Sequence, residues 1–385
     1  MVVIVLESFA AYKSSLFKNE LKASPYFDKL ATEGLFFPNY YVPCQATARS
    51  MFALVTGLPD LTVSNTSTRN PFLVNQHSII NEFEGYDKLY FLGGSANWGN
   101  IRGIFAHNID GIEIIEEGSF KSPRTDVWGI SDYHLMIEAN DHLKNRTKPF
   151  FAIIQSAGFH RPYTIPSDAG NFKVEKVDSM ATLEKNGFIS EDEYNSLRFQ
   201  DYSLGNFIEI AKREKYFDNT IFIMYGDHGL PANQAANINA GTRFHNLENF
   251  HVPFLIYAPK LIQPQINTKP MSQMDLLPSI ASLIGIPYNN TTLGRNIFDD
   301  KIDPNRYLFV YYWYTLPPEF AVFNSEFYYK DNLQNISELY RYNEPSFDKN
   351  IKASEPQKAQ ELQNLARGYF YAAKHLMMNN KKIVK

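Results

Sequence analysis

The sequence predicts an α/β protein: a mainly parallel central sheet with helices on both faces, followed by a small C-terminal α+β subdomain. Three observations carry that expectation. Short, unbroken apolar runs recur along the chain as "VVIVLE" (2–7), "LYFLGG" (89–94), "PFFAIIQS" (149–156), "TIFIMYGDHG" (220–229) and "VPFLIYAP" (252–259). Their β-branched and aromatic character without alternation fits strands buried on both faces, as in a helix-covered parallel sheet. Amphipathic patterns lie between them, and strand–helix–strand order argues for an open, doubly covered sheet. From about Pro287 the character changes, and residues 306–332 alternate in the manner of antiparallel strands.

Each helix can be placed from its punctuation. In "SPYFDKLATEG" (24–34) Ser24 stands at the N-cap position, Pro25 at the first helical position and Gly34 at the C-cap. Residues 191–215 carry apolar side chains at helical spacing, "QMDLLPSIASLIG" (273–285) is a shorter helix, and 356–380 form a charged helical tail. Asp201 within one helix and Asp275 opening another read as structural carboxylates.

Composition narrows the function. A net charge of −4 with no basic stripe offers no electrostatic footprint for nucleic acid. A single cysteine, Cys44, excludes an internal disulfide framework and a cysteine-rich zinc site. No run reaches the roughly 18 apolar residues of a membrane span. The chain opens directly on a buried strand, "MVVIVLESFA", which leads us to expect that a signal peptide or membrane segment precedes it in the native protein.

Chemistry-bearing residues fall at the strand ends, where an open α/β sheet builds its sites. Glu7 ends the first run, Asp227 and His228 end the fourth in "GDHG", and Thr47 begins an apolar helix in "YVPCQATARSMFALVTGLPD" (41–60). Alone, each has a bland reading: a helix-capping threonine, a carboxylate paired for structure, an Asp-initiated turn with a solvated histidine. "GDHG" is the most specific, since it sets oxygen and imidazole ligands side by side between two glycines.

Together these residues resemble the alkaline phosphatase/sulfatase superfamily, and within it the lipoteichoic acid synthase-like branch of phosphoglycerol transferases. The resemblance is carried by "VVIVLESF", "SPYFDKLATEGLFFPNYY", "TARSMFALVTGLP", "GGSANWGNIRG", "WGISD", "GFHRP", "DYSLGNF", "MYGDHG", "VPFLIYAPK" and "MSQMDLLPSIASLIGIP" with "LGRNIF". It runs to about residue 298, which divides the chain into a sulfatase-like catalytic domain (1–298) and a C-terminal subdomain packed on it (299–385). The formylglycine register of sulfatases, with proline or alanine two residues after the cysteine and arginine four after, fails here. Ala46 fits, but position 48 is alanine and the arginine is Arg49.

The resemblance therefore implies Thr47 as nucleophile, with Cys44 a small buried apolar residue. It implies one divalent metal, Mn²⁺ or Mg²⁺ before Zn²⁺, on Glu7, Thr47, Asp227 and His228, and a phosphothreonine intermediate. His160 would contact substrate or protonate the leaving group, although it could simply cap the turn before Pro162. Trp98, Asn100 and Arg102 match a headgroup-binding region, with Arg102 equally suited to a structural ion pair. Arg49, His245 and His251 complete the expected substrate-binding set, His245 ahead of His251. The implied partners are a phospholipid headgroup donor and a glycan or polymer acceptor, outside the cytoplasmic membrane. A phosphoethanolamine transferase or a phosphodiesterase on the same fold is the alternative, and an arylsulfatase-like hydrolase a more distant one.

Overall fold

A computed structural model describes residues 1–232 and 234–382. Its main sheet has eight strands. They are β1 (Val2–Leu6), β2 (Leu35–Phe37), β4 (Asp87–Leu92), β5 (Ile112–Ile115), β6 (Phe150–Gln155), β7 (Phe222–Gly226), β8 (Phe254–Tyr257) and β9 (Gln265–Ile266); β3 (Tyr40–Tyr41) and β10 (Met271–Ser272) pair separately. The order across the sheet is β5-β4-β6-β1-β7-β8-β2-β9. The first five of these run parallel, β8 turns antiparallel to β7, and β2 turns back antiparallel to β8. The sheet is thus mainly parallel, as expected, with the reversal confined to one side.

The unbroken apolar runs have a direct cause. Val3 and Val5 of β1 face one core with Met51, Phe52, Ile101, Ile104 and Ile280, while Val2, Ile4 and Leu6 face a second core with Phe27, Leu135, Leu197 and Leu204. Both faces of the strand are dry, so neither set of alternate positions can be polar. The helices are α1 (Pro25–Glu33), α2 (Thr47–Thr56), α3 (Ile101–Asn108), α4 (Asp132–Leu143), α5 (Met180–Lys185), α6 (Glu191–Ala211), α7 (Ala240–Phe244), α8 (Leu276–Leu283) and α9 (Pro356–Asn379). α2, α3 and α8 cover the first face, and α1, α4 and α6 the second.

Ser24 and Gly34 hold the expected cap positions of α1, but neither acts in the usual way. Ser24 occupies the N-cap position, but its hydroxyl donates to Asp28. The free N–H groups of Tyr26 and Phe27 are taken instead by the two oxygens of Asp201, each at 2.8 Å, from the middle of α6. At the other end Gly34 has extended backbone (φ −131°) and is required by crowding, since a Cβ there would lie 2.7 Å from the Ile256 carbonyl oxygen.

After residue 300 the chain forms a four-stranded antiparallel sheet of β11 (Leu308–Tyr312), β12 (Glu319–Phe323), β13 (Tyr328–Asp331) and β14 (Ser337–Tyr340). Phe309, Phe320, Tyr329 and Leu339 pack on Ala359, Leu362 and Ala366 of α9. Val310, Tyr312, Ala321, Phe323 and Tyr328 on its opposite face join the first core of the main sheet. Among the described residues no helix is long and apolar enough to cross a membrane.

The Asp201 cap gives a measurable expectation. Burial raises its carboxyl to about 8, while the two backbone N–H donors work against that rise. Asp201→Ala removes the acceptors of two N–H groups and should cost about 1–3 kcal/mol in denaturant unfolding. Asp201→Asn keeps one acceptor and sets its NH2 against the other N–H, so it should retain at most part of that stability.

Candidate active site

Parallel strands that start together end together, and the ends of β4, β6, β1 and β7 form one crevice. The register pairs Leu6 with Gly226, so the next residues, Glu7 and Asp227, emerge side by side. The Asp227 N–H donates to the Leu6 carbonyl at 3.0 Å and extends that pairing by one step. Glu7 itself is anchored through its backbone, its N–H donating to the Ser156 hydroxyl and its carbonyl accepting from the Gln200 amide.

Thr47 enters from α2. It is the first residue of that helix, not its cap: the cap position belongs to Ala46, held at φ 94°. The Thr47 hydroxyl therefore makes no capping bond. It lies 3.3 Å from Glu7 Oε2 and 3.5 Å from His228 Nε2. His228 Nε2 lies in turn 3.8 Å from Glu7 Oε1 and 3.7 Å from Asp227 Oδ2. The four expected ligand residues converge, all of them buried.

The hydrogen bonds leave this quartet with unused acceptor atoms facing one another. His228 Nδ1 stands 2.8 Å from the Gly229 carbonyl, which can only accept, so the ring proton sits there and Nε2 keeps its lone pair. Asp227 Oδ1 accepts from the N–H groups of Ser8 and His228, while Oδ2 is buried with no hydrogen-bond partner. Burial and then the neighbouring Asp227 push the Glu7 carboxyl well above its ordinary range. A cation would answer all three features: the orphaned oxygen, the free imidazole nitrogen and the two adjoining carboxylates. The donor set of two carboxylates, one imidazole and one hydroxyl fits a divalent metal.

Beside the quartet is a cavity of about 180 Å³ lined by Glu7, Thr47, Ser95, Trp98, Trp128 and His160, among others. Trp98 follows the end of β4 and is 45% exposed at the mouth; His160 follows the end of β6. Trp128 is the member that residue-by-residue reading missed. It lay inside the quoted "WGISD" segment, but its loop follows β5, whose half-exposed residues leave no unbroken apolar run to mark the strand end.

Other expected binding residues are placed differently. Arg49 is 2% exposed, pairs with Asp60 at 3.3 Å and donates to the carbonyls of Asp60, Thr62 and Val63. Its guanidinium also lies over the Trp313 ring, so it ties α2 to the following loop and has no face left for substrate. Arg102 pairs with Glu116 and reaches Asn97, the ion-pair alternative, and the Asn100 amide donates to the Thr68 carbonyl.

His245 stacks on Tyr328 of the C-terminal sheet at 3.9 Å, buried, and burial lowers its pKa to about 3. His251 stacks on Tyr41, donates to the Pro38 carbonyl and is lowered to about 4 by burial. Both are packed into the protein and stand outside the Thr47 cavity. Cys44 is fully buried with its sulfur on the Asp60 carbonyl, and burial pushes its thiol up.

A mainly parallel sheet with a buried acid–acid–imidazole–hydroxyl quartet at its strand ends defines an enzyme of the alkaline phosphatase superfamily. Comparison with known proteins agrees: the chain belongs to the sulfatase family, whose model matches residues 1–286. A lipoteichoic acid synthase-like protein of Bacillus subtilis is 21% identical over 299 residues, covering 74% of this chain and 47% of that protein. The chain thus spans about half the length of the relatives it matches. In solved structures, an alkaline phosphatase superfamily protein from Vibrio parahaemolyticus aligns with a TM-score of 0.81 at 24% identity. That alignment covers 100% of this chain and 88% of the other. The lipoteichoic acid synthase LtaP from Listeria monocytogenes aligns with a TM-score of 0.78 at 17% identity, covering 100% and 93%.

Two expectations follow. Adding Mn²⁺ should raise the unfolding temperature of the protein in proportion to its occupancy, and Asp227→Ala should abolish that rise, as read by differential scanning fluorimetry. Separately, His245 and His251 stay neutral in the folded state down to about 3 and 4, while in the unfolded chain they protonate near 6.5. The unfolded state then binds more protons as pH falls below about 6.5, so their contribution to stability is complete above that value and shrinks toward pH 4. His245→Phe should flatten the fall of unfolding temperature between pH 7 and pH 5 relative to the parent.

Proposed function

We propose that this chain is the catalytic part of a metal-dependent phosphoglycerol transferase. It would act on phosphatidylglycerol-type donors through Thr47, at the outer face of the cytoplasmic membrane. The observation that carries the reading is the Thr47 hydroxyl itself: free of capping duty, within 3.5 Å of Glu7 and His228, and open to the adjoining cavity. The likeness to lipoteichoic acid synthase-like proteins supports the donor class.

A divalent ion held by Glu7, Thr47, Asp227 and His228, Mn²⁺ or Mg²⁺ by donor type, supplies charge that acidifies a hydroxyl and polarises a phosphoryl group. The protein's residues supply the rest. Thr47 Oγ attacks phosphorus as its proton passes to Glu7 Oε2, to which the hydroxyl donates at 3.3 Å, and the bond from phosphorus to the diacylglycerol oxygen breaks. His160, on the cavity wall, gives its proton to that leaving oxygen. The product is a glycerol-phosphoryl ester of Thr47. An acceptor hydroxyl then delivers its proton to His160 and displaces Thr47, whose oxygen takes its proton back from Glu7, restoring the enzyme. The start of α2 adds its positive dipole end and free N–H groups beside the phosphoryl oxygens.

A sulfatase mechanism would need Cys44, three residues away, whose sulfur is packed against a carbonyl in the core. Thr47→Ala should lower turnover of a fluorescent phosphatidylglycerol analogue by at least 10³-fold, whereas Cys44→Ala should remain within about threefold of the parent. The reading fails if the same preparation turns over aryl sulfate or phosphatidylethanolamine analogues and leaves phosphatidylglycerol untouched.

A further inference from the structure

Trp128 stands in a loop whose position is dictated from both sides. Thr125 N–H donates to the Gly129 carbonyl, Ile130 N–H donates to the Gly93 carbonyl, and the Trp128 N–H is held by Asp126 Oδ1 at 2.8 Å. Gly129 is at φ 108°, and a Cβ there would fall 1.9 Å from the Gly93 oxygen, so the loop lies directly on the end of β4. From this base the indole N–H donates to the Arg161 carbonyl at 2.6 Å. His160 Nδ1 stands 3.1 Å from the same carbonyl.

A carbonyl only accepts, so both groups are donors to it and Nδ1 carries a hydrogen; the proton that His160 passes to the leaving oxygen and regains from the acceptor is the one on Nε2. That leaves Nε2 for the cavity. The indole ring also lies 3.9 Å from the imidazole, centroid to centroid, and 5.9 Å from the edge-on ring of Trp98. His160 is only half-buried and follows a strand on an irregular segment; among the described residues no other side chain gives it both a ring contact and a shared acceptor.

We infer that Trp128 is a positioning residue of this enzyme, fixing the ring orientation and tautomer of His160 through the Arg161 carbonyl and the indole set at a tilt against the imidazole. The inference rests on the proposed role of His160, and its test separates the two. Trp128→Phe keeps an aromatic wall and removes only the N–H donor; Trp128→Ala removes both.

With a phosphatidylglycerol analogue as donor, kcat should fall at least tenfold in Trp128→Phe and further in Trp128→Ala, with KM within about threefold of the parent. A structural contribution alone would move the unfolding temperature without that split. Independently of turnover, the separation of the Nδ1 and Nε2 ¹⁵N resonances of His160, which reports its tautomer and is identified by its absence in His160→Gln, should change between parent and Trp128→Ala at constant pH. Equal kcat in parent and Trp128→Phe, or an unchanged His160 separation in a folded Trp128→Ala, overturns the inference. Should the parent show no phosphatidylglycerol turnover at all, the functional reading falls, and the separation still decides whether Trp128 orients His160.

Discussion

The site depends on one constraint: two carboxylates, Glu7 and Asp227, held side by side at the buried ends of neighbouring parallel strands. Like charges in a dry crevice repel, and removing each ion from water costs several kcal/mol. The local structure offsets part of this with dipoles. Ser8 N–H and His228 N–H both point at Asp227 Oδ1, and the Ser8 hydroxyl donates to Glu7 Oε1. What remains uncompensated is directional. The orphaned Asp227 Oδ2, the free His228 Nε2 and the Thr47 hydroxyl surround the same space, so the site is arranged for a cation and an activated oxygen together.

That constraint explains why the rest of the fold is so rigidly built around the strand ends. A one-residue slip between β1 and β7 would turn Glu7 away from Asp227. Both faces of β1 are apolar, so alternation alone does not set this register; it is set by how Val3 and Val5 pack into one core while Val2, Ile4 and Leu6 pack into the other. The second carboxylate layer is structural. Asp132 accepts from the N–H groups of Ala157 and Gly158 and fixes the segment that leads from β6 to His160, and its burial raises its carboxyl to about 6.

The fold and the quartet were legible in the sequence for the same reason. Doubly buried strands leave unbroken apolar runs, and the residue that ends such a run is at the crevice. Thr47, Glu7, Asp227 and His228 each adjoin a run or a helix start, so their meeting could be expected from topology. Short or half-exposed strands such as β5 and β9 left no such trace. Arg49 looked like a substrate contact because it sits two residues from Thr47, but Asp60 and three carbonyls lie on the face of α2 to which it points. The environments of His245 and His251 come from tyrosines distant in sequence, Tyr328 and Tyr41, which spacing alone does not reveal. Trp128 was hidden because its importance lies in an indole N–H meeting a backbone carbonyl on another loop.

The separation of Cys44 from Thr47 turns on a single backbone angle. Cys44 pairs with Tyr311 across an isolated bridge and faces inward. Between it and the helix, Ala46 adopts φ 94° and ψ 137°, a region that a residue with a Cβ enters at a cost of order 1–3 kcal/mol. Ser8, directly after Glu7, is likewise at φ 53°. Left-handed backbone thus adjoins both oxygen-bearing residues that meet in the crevice. At Ala46 it reverses the chain so that the first side chain of α2 points at Glu7 rather than back at its own N–H groups. At Ser8 it brings the backbone N–H onto Asp227. Strain at these two positions turns an ordinary strand end and an ordinary helix start into the crevice where Glu7, Asp227, His228 and Thr47 meet, while the thiol three residues before Thr47 stays in the core.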